Sequence, residues 1–217
     1  MAWILGDSHG DFDWLKKMSK KAVLSNQSII VAGDVGIGFP ADCVRDFAYL
    51  NDEQLTYPPV FPSNFKFIRG NHDKPSLSRQ HPNYLGDYGY IEEADLFYVS
   101  GAESYDRDMR IPGISWWDDE ELSYEELQQM IDLFEKTKPK YVISHDCPKH
   151  PEHIPFCGFY GSGRTGQALW QCYEMHKPMI HVFAHHHRTK VTQVGKTKFV
   201  CVGTNQRYIL KGVHLPY

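Results

Sequence analysis

The chain has no Cys-x-x-Cys pair, no long apolar run and no excess of basic charge. Each absence closes a class of function. Its five cysteines, Cys43, Cys147, Cys157, Cys172 and Cys201, leave one over in any disulfide scheme. They show none of the paired spacing of a structural zinc site, and they read as small buried hydrophobes in a reducing cytoplasm, the compartment expected for this chain. No apolar run approaches the roughly 20 residues that cross a bilayer. A strand-like run at Ala2–Leu5 begins at once and leaves no room for a secretory leader, so no membrane association is expected. The net charge of -4 gives no global basic field, which argues against extended nucleic acid as a partner while leaving room for a local basic groove.

What is present is histidine and regular alternation. Twelve histidines against 23 Lys plus Arg is a high ratio, and most lie in the second half. A length of 217 residues suits one α/β domain spanning 1–217. Strands are expected at Ala2–Leu5, Ser28–Ala32, 65–69, 89–91, Leu96–Val99, 140–144, 180–184 and 207–211, with a hairpin over 189–202 turning at Gly195-Lys196. A short extended piece is expected at 111–117. Leu15, Met18 and Ala22 recur at helical spacing, and Pro40 opens an expected helix to about Leu50, with Val44, Phe47 and Ala48 inward. Ser123 with Glu126 makes a capping box ahead of Leu127, Met130, Ile131 and Phe134. Another helix is expected over 165–175, after a long Pro-, Gly- and His-rich loop at 146–162.

Five strand-like runs end in metal-ligand side chains: Asp7 and His9, Asp34, Asn71, His145, and His185 with His187. Side chains two apart in extended or loop backbone can face the same way. Open α/β sheets form their sites where the chain leaves the carboxyl ends of the strands. If those strands lie side by side, the sets converge into carboxylates, one amide oxygen and four imidazoles. That is more than one divalent ion needs. Nitrogen and oxygen ligation without thiolate suits Mn, Fe or Zn better than Mg or Ca. Two such ions can generate a hydroxide at neutral pH and clamp an in-line displacement at phosphorus.

In order, G-D-x-H-G at 6–10, G-D at 33–34, G-N-H-D at 70–73, the strand-end His145 and H-x-H at 185–187 resemble the calcineurin-like metallophosphoesterase superfamily, in its small single-domain bacterial or phage form. The resemblance implies a two-sheet β-sandwich flanked by helices. It implies that Asp7, His9 and His187 hold one ion and Asn71, His145 and His185 the other, with Asp34 bridging. It assigns His72 as general acid or transition-state stabiliser. The second motif departs from the G-D-x-V-D-R-G of phosphoprotein phosphatases: Ile37 stands for its aspartate and Gly38 for its phosphate-binding arginine. The expected substrate is therefore a phosphodiester or a small phosphorylated metabolite, ahead of a phosphoprotein or a dinucleoside polyphosphate. A non-catalytic scaffold on the same fold is the remaining reading.

Several residues have both a functional and a plain structural reading. Arg69 and Arg164 are candidate substrate cations or structural ion-pair partners. Gly161–166 is a candidate phosphate cradle or a plain loop. His150 and His153 are candidate substrate contacts or surface residues, and Trp116-Trp117 is a candidate ring-binding wall or packed core.

Overall fold

In the computed structural model, residues 1–39 and 57–216 are described. The helix expected from Pro40 to Leu50 lies outside the described residues, as does Cys43. Two sheets face each other. The first has the order β10-β1-β2-β3, with β1 (Ala2–Leu5), β2 (Ser28–Ala32) and β3 (Phe65–Ile68) parallel and β10 (Arg207–Leu210) antiparallel at the edge. The second has the order β4-β5-β6-β7-β9-β8. Within it β5 (Leu96–Val99), β6 (Tyr141–Ser144), β7 (Ile180–Phe183) and β9 (Thr197–Cys201) are parallel. Its edges β4 (Tyr88–Ile91) and β8 (Lys190–Val194) are antiparallel.

Alternation along the strands explains the layering. Ala2, Ile4, Ile30, Ala32 and Ile68 point inward to meet Leu96, Ile143, Val182 and Val200 of the second sheet in one buried cluster. The intervening Trp3, Leu5, Ile29, Val31, Phe65 and Phe67 point outward onto Leu15, Met18 and Ala22 of α1 (Phe12–Leu24). On the far side, Phe97, Val99 and Val142 are covered by α3 (Tyr124–Thr137) and α4 (Gly163–Met175). Strands buried on both faces read as continuous apolar runs, as parallel sheets require.

The local signals carry through. Ser123 accepts from the Glu126 amide and Glu126 returns to the Ser123 amide, so the capping box closes α3. A one-turn helix α2 (Pro75–Ser78) follows the G-N-H-D stretch. The extended piece expected at 111–117 is not a strand: Pro112-Gly113 turns the chain, and the Ile111 carbonyl accepts from the amides of Ile114, Ser115 and Trp116.

Candidate metal centre

The five parallel strands β1, β2, β3, β6 and β7 deliver Asp7, Asp34, Asn71, His145 and His185 from their carboxyl ends to one place. The loops are bent sharply to do so. His9, Asp34, His185 and His187 all have positive φ, between 45° and 64°. Four non-glycine left-handed residues at one site are sparsely populated conformations, each held by its surroundings. Glycine permits the close approach: Gly33 has φ 96°, and a Cβ there would run into the His145 ring. A Cβ on Gly70 would run into the Asp34 carboxylate.

Two donor groups share Asp34. His9 Nε2 lies 2.9 Å from His187 Nε2, and His187 Nε2 lies 3.8 Å from Asp7 Oδ2. His145 Nε2 lies 3.1 Å from Asn71 Oδ1 and 3.3 Å from Asp34 Oδ1. Asp34 Oδ2 faces His9 Nε2 at 3.8 Å, so its two oxygens look toward different groups. The potential ligand atoms of Asp7, His9 and His187 all lie within 4.8 Å of one another, and so do those of Asp34, His145 and His185. His145 Nδ1 is 2.7 Å from the Ala32 carbonyl, a contact that holds the ring and turns Nε2 inward.

These residues fit divalent cations. Asp7 Oδ2, Asp34 Oδ2 and His185 Nε2 are buried without any hydrogen-bond partner. Buried polar atoms are ordinarily paired, and three orphans facing one space are what bound cations would satisfy. The electrostatics carry the same strain. Burial, reinforced by the Asp34 carboxylate, raises Asp7 to about 7. Burial would also raise Asp34, but His145 and His72 outweigh it and hold that carboxyl below the usual range. Burial would lower His145, yet Asp34 raises it to about 10. Burial lowers His185 to about 3.

Residues 2–189 match the sequence model of the calcineurin-like phosphoesterases. The chain belongs to that family. Among solved structures, the chain is similar to a putative 5'-nucleotidase from Staphylococcus aureus, at 14% identity over 94% of this chain and 48% of that one, with a TM-score of 0.51. It is also similar to GAP50, the anchor in the inner membrane complex of Plasmodium, at 9% identity over 94% and 71% of the two chains, with a TM-score of 0.50. At such identities the likeness speaks for the fold alone. No curated protein matches the chain significantly. Among the described residues no helix is long and apolar enough to cross a membrane.

The remaining candidate residues sort differently from the expectation. Arg69 is fully buried, its Nε on Asp87 at 2.7 Å and its Nη1 on the Glu120 carbonyl, so it is a structural cation and not a substrate contact. Arg164 is partly exposed and turned to the backbone, with Nε donating to the Leu122 carbonyl at 2.6 Å and Nη2 to the Glu121 carbonyl at 3.2 Å. The Gly161–166 loop is no phosphate cradle, because protein carboxylates already take its amides: Ser162 N on Asp146, Gly163 N on Glu103 and Thr165 N on Glu121. His150 packs edge-on against Trp170.

Three features escaped the sequence. Asp73 does not orient His72; its carboxylate accepts from the amides of Val35, Gly36, Ile37 and Gly70, riveting the second and third motif loops together. Asn71 Nδ2 donates to Ser104 Oγ at 3.1 Å, and Ser104 donates in turn to buried Glu120, which aims Asn71 Oδ1 at the centre. His72 has its amide on Asp34 Oδ1 at 2.8 Å, while its ring lies 4.5 Å from Phe39 and 4.7 Å from His9. Its Nε2 meets Arg110 Nη2 at 2.7 Å. A guanidinium only donates, so Nε2 is the acceptor and the ring proton belongs on Nδ1. Burial, with Arg110 adding to it, lowers this imidazole to about 4. The one sequence signal for these residues was the crowding of Ser104, Asp106, Arg110 and Glu120 into an irregular stretch.

Proposed function

We propose that this chain is a hydrolase of small phosphorylated metabolites that works with two divalent cations. Asp7, His9 and His187 would hold one, and Asn71, His145 and His185 the other, with Asp34 shared. The observation that carries the proposal is the set of three orphaned buried atoms, on Asp7, Asp34 and His185, directed into donor groups that share one carboxylate. The donor set offers imidazole, carboxylate and amide without thiolate, which favours Mn, Fe or Zn. Bound there, such ions supply water activation at neutral pH and neutralise charge at phosphorus.

The protein's own part is positional. Asp34 receives the His72 amide, so the loop bearing Asn71 and His72 is indexed to the shared ligand. Of the two roles the resemblance implies for His72, transition-state stabiliser fits better than general acid, because Nε2 already accepts from Arg110 and has no proton to give. Beside the centre a cleft of about 490 Å³ is lined by Tyr105, Phe159, Tyr160, His186 and Arg188. The Tyr105 ring stacks on His185 at 5.3 Å, which brings that cleft against a proposed ligand and gives the organic part of a metabolite room.

The test is a screen of metal-free and Mn-loaded protein on aryl phosphomonoesters, aryl phosphodiesters and cyclic nucleotides. Turnover that appears only with metal, and disappears in Asp34→Asn, is expected. Protein carrying two ions per chain that hydrolyses none of these esters would overturn the proposal and leave the scaffold reading.

A further inference from the structure

The second motif lacks an arginine, with Gly38 in its place, and the two arginines that could have compensated are consumed elsewhere. Arg69 is sealed against Asp87, and Arg164 is bound to backbone carbonyls. Yet a guanidinium does reach the centre, from a part of the chain that carries no motif. Arg110 follows a 3₁₀ turn at Arg107–Met109 that sets it four residues beyond Asp106. Its Nε pairs with Asp106 Oδ1 at 2.7 Å, and that carboxylate is its one ion-pair partner among the described residues. The arm is held from several sides. Arg107 lies over the Trp116 ring at 4.1 Å, Nη1 sits 3.4 Å from the carbonyls of Asn71 and Ser115, and the guanidinium lies 5.5 Å from the Phe39 ring centre.

What matters is where Nη2 points. Among the described residues its hydrogen-bond partner is His72 Nε2, a neutral acceptor on the loop that carries Asn71. A nearly buried side chain, 6% exposed, thus has one carboxylate at its Nε end and a single neutral acceptor at its outer end. Buried arginine nitrogens are ordinarily matched by carboxylates or carbonyls, as Nε and Nη1 are here and Nη2 is not. An outer edge left to one imidazole, with the His72 ring against that of His9 at 4.7 Å, is a donor set suited to an anion's oxygens beside the metal ligands.

We propose that Arg110 is the phosphoryl-binding cation of this site, and that its charge selects phosphomonoester dianions over phosphodiesters. This rests on the hydrolase reading above. It also narrows the expectation drawn from the second motif, keeping the small phosphorylated metabolite and setting the phosphodiester aside, because the missing cation is supplied in space by a residue distant in sequence. A dianion has charge for a guanidinium in addition to two metal ions, and an oxygen free to accept from Nη2, whereas a diester has one charge and two of its oxygens esterified.

The experiment is calorimetric binding of inorganic phosphate and of dimethyl phosphate to metal-loaded protein near pH 8, where inorganic phosphate is mostly the dianion. Wild type is compared with Arg110→Ala and Arg110→Lys, each with metal content measured. Arg110→Ala should weaken phosphate about tenfold or more, the usual scale for a hydrogen bond to a charged group. Dimethyl phosphate should shift less than about twofold, and Arg110→Lys should fall between. The ratio of kcat/KM on an aryl monoester to that on the matching diester should drop with the phosphate affinity. Equal loss of both anions, or unchanged phosphate affinity in a variant with full metal content, would overturn the assignment. Wild type that binds phosphate through Arg110 yet hydrolyses no ester would refute the hydrolase reading and leave the anion site standing. Hydrolysis with Arg110-independent phosphate binding would do the reverse.

Discussion

Replacing Ser104 by alanine should damage one of the two proposed ion sites and spare the other. Ser104 Oγ gives its proton to Glu120, and the Ser104 amide donates to the same carboxylate at 2.9 Å, so the hydroxyl is left as acceptor for Asn71 Nδ2. Asn71 is 2% exposed, so its amide has little solvent to turn to. Without the hydroxyl, the ligating orientation strands a buried donor at a cost of about 1–3 kcal/mol. Rotations that relieve it carry Oδ1 away from His145. That cost corresponds to roughly 10- to 100-fold in affinity, the same range found when groups that orient metal ligands are removed. The assay is a chelator-competition titration fitted to two sites, with the melting midpoint as a control for fold. The site of Asn71, His145 and His185 should weaken while that of Asp7, His9 and His187 stays within about twofold. Equal weakening of both, or none in a folded protein, would refute the orienting role of Ser104.

Asp34→Asn should weaken both ions, because its two oxygens face different donor groups; loss at one site alone in metal analysis would argue against sharing. His72→Ala should keep both metals and lower kcat by roughly two to three orders of magnitude, the scale for removing one stabilising group, measured on the best substrate of the ester screen. Asp73→Asn replaces an acceptor of four amides by one oxygen and an amide that clashes with donors, so about 3–6 kcal/mol of stability is at stake, read as a large fall in melting midpoint. Asp87→Asn should destabilise by about 3–5 kcal/mol, since Arg69 would be a buried cation without its counter-charge. Burial would raise Asp87, but Arg69 and Arg79 lower it. Its contribution is therefore complete above the unfolded value near 4 and lost as pH falls through the lower folded one, which a pH series of denaturant midpoints checks.

The strands and the ligands they carry were legible because both are local. Continuous apolar runs at Ala2–Leu5 and Ser28–Ala32 report a sheet buried on two faces, and the Gly-Asp pair after each run marks the exit. The capping box at Ser123 and the spacing of Leu127, Met130, Ile131 and Phe134 gave α3 for the same reason. Arg69 misled because a cation beside a motif carries no sign of its depth. Its partner Asp87 is 18 residues away, and the pairing of Tyr84 and Leu85 with Phe67 of β3 brings them together. Arg110, Ser104 and Glu120 were silent for the complementary reason. The stretch that holds them has no period, since its shape is set by contacts with Asn71 and His72 rather than by a helix or a strand.

That distinction bears on how the centre is held. Four of its residues, His9, Asp34, His185 and His187, have left-handed backbones that cost about 1–3 kcal/mol each unless the surroundings enforce them. Cations alone need not enforce them, because protein contacts already do part of the work. The His9 amide is bonded to the Asp34 carbonyl at 2.9 Å, and the His185 amide reaches Asp7 Oδ1 at 3.2 Å. Asp73 fixes the loop after Asp34 through three of its amides, and Ser104 with Glu120 fixes the Asn71 amide. The protein's own hydrogen bonds thus hold these loops, and the shape of the centre does not rest on cations alone. That network draws the stretch from Ser104 to Glu120 in beside the five motifs, with Glu120 reaching Asn71 through Ser104 and Arg110 on His72. If Arg110 binds the phosphoryl group as proposed, substrate choice rests on a segment that lies outside every motif.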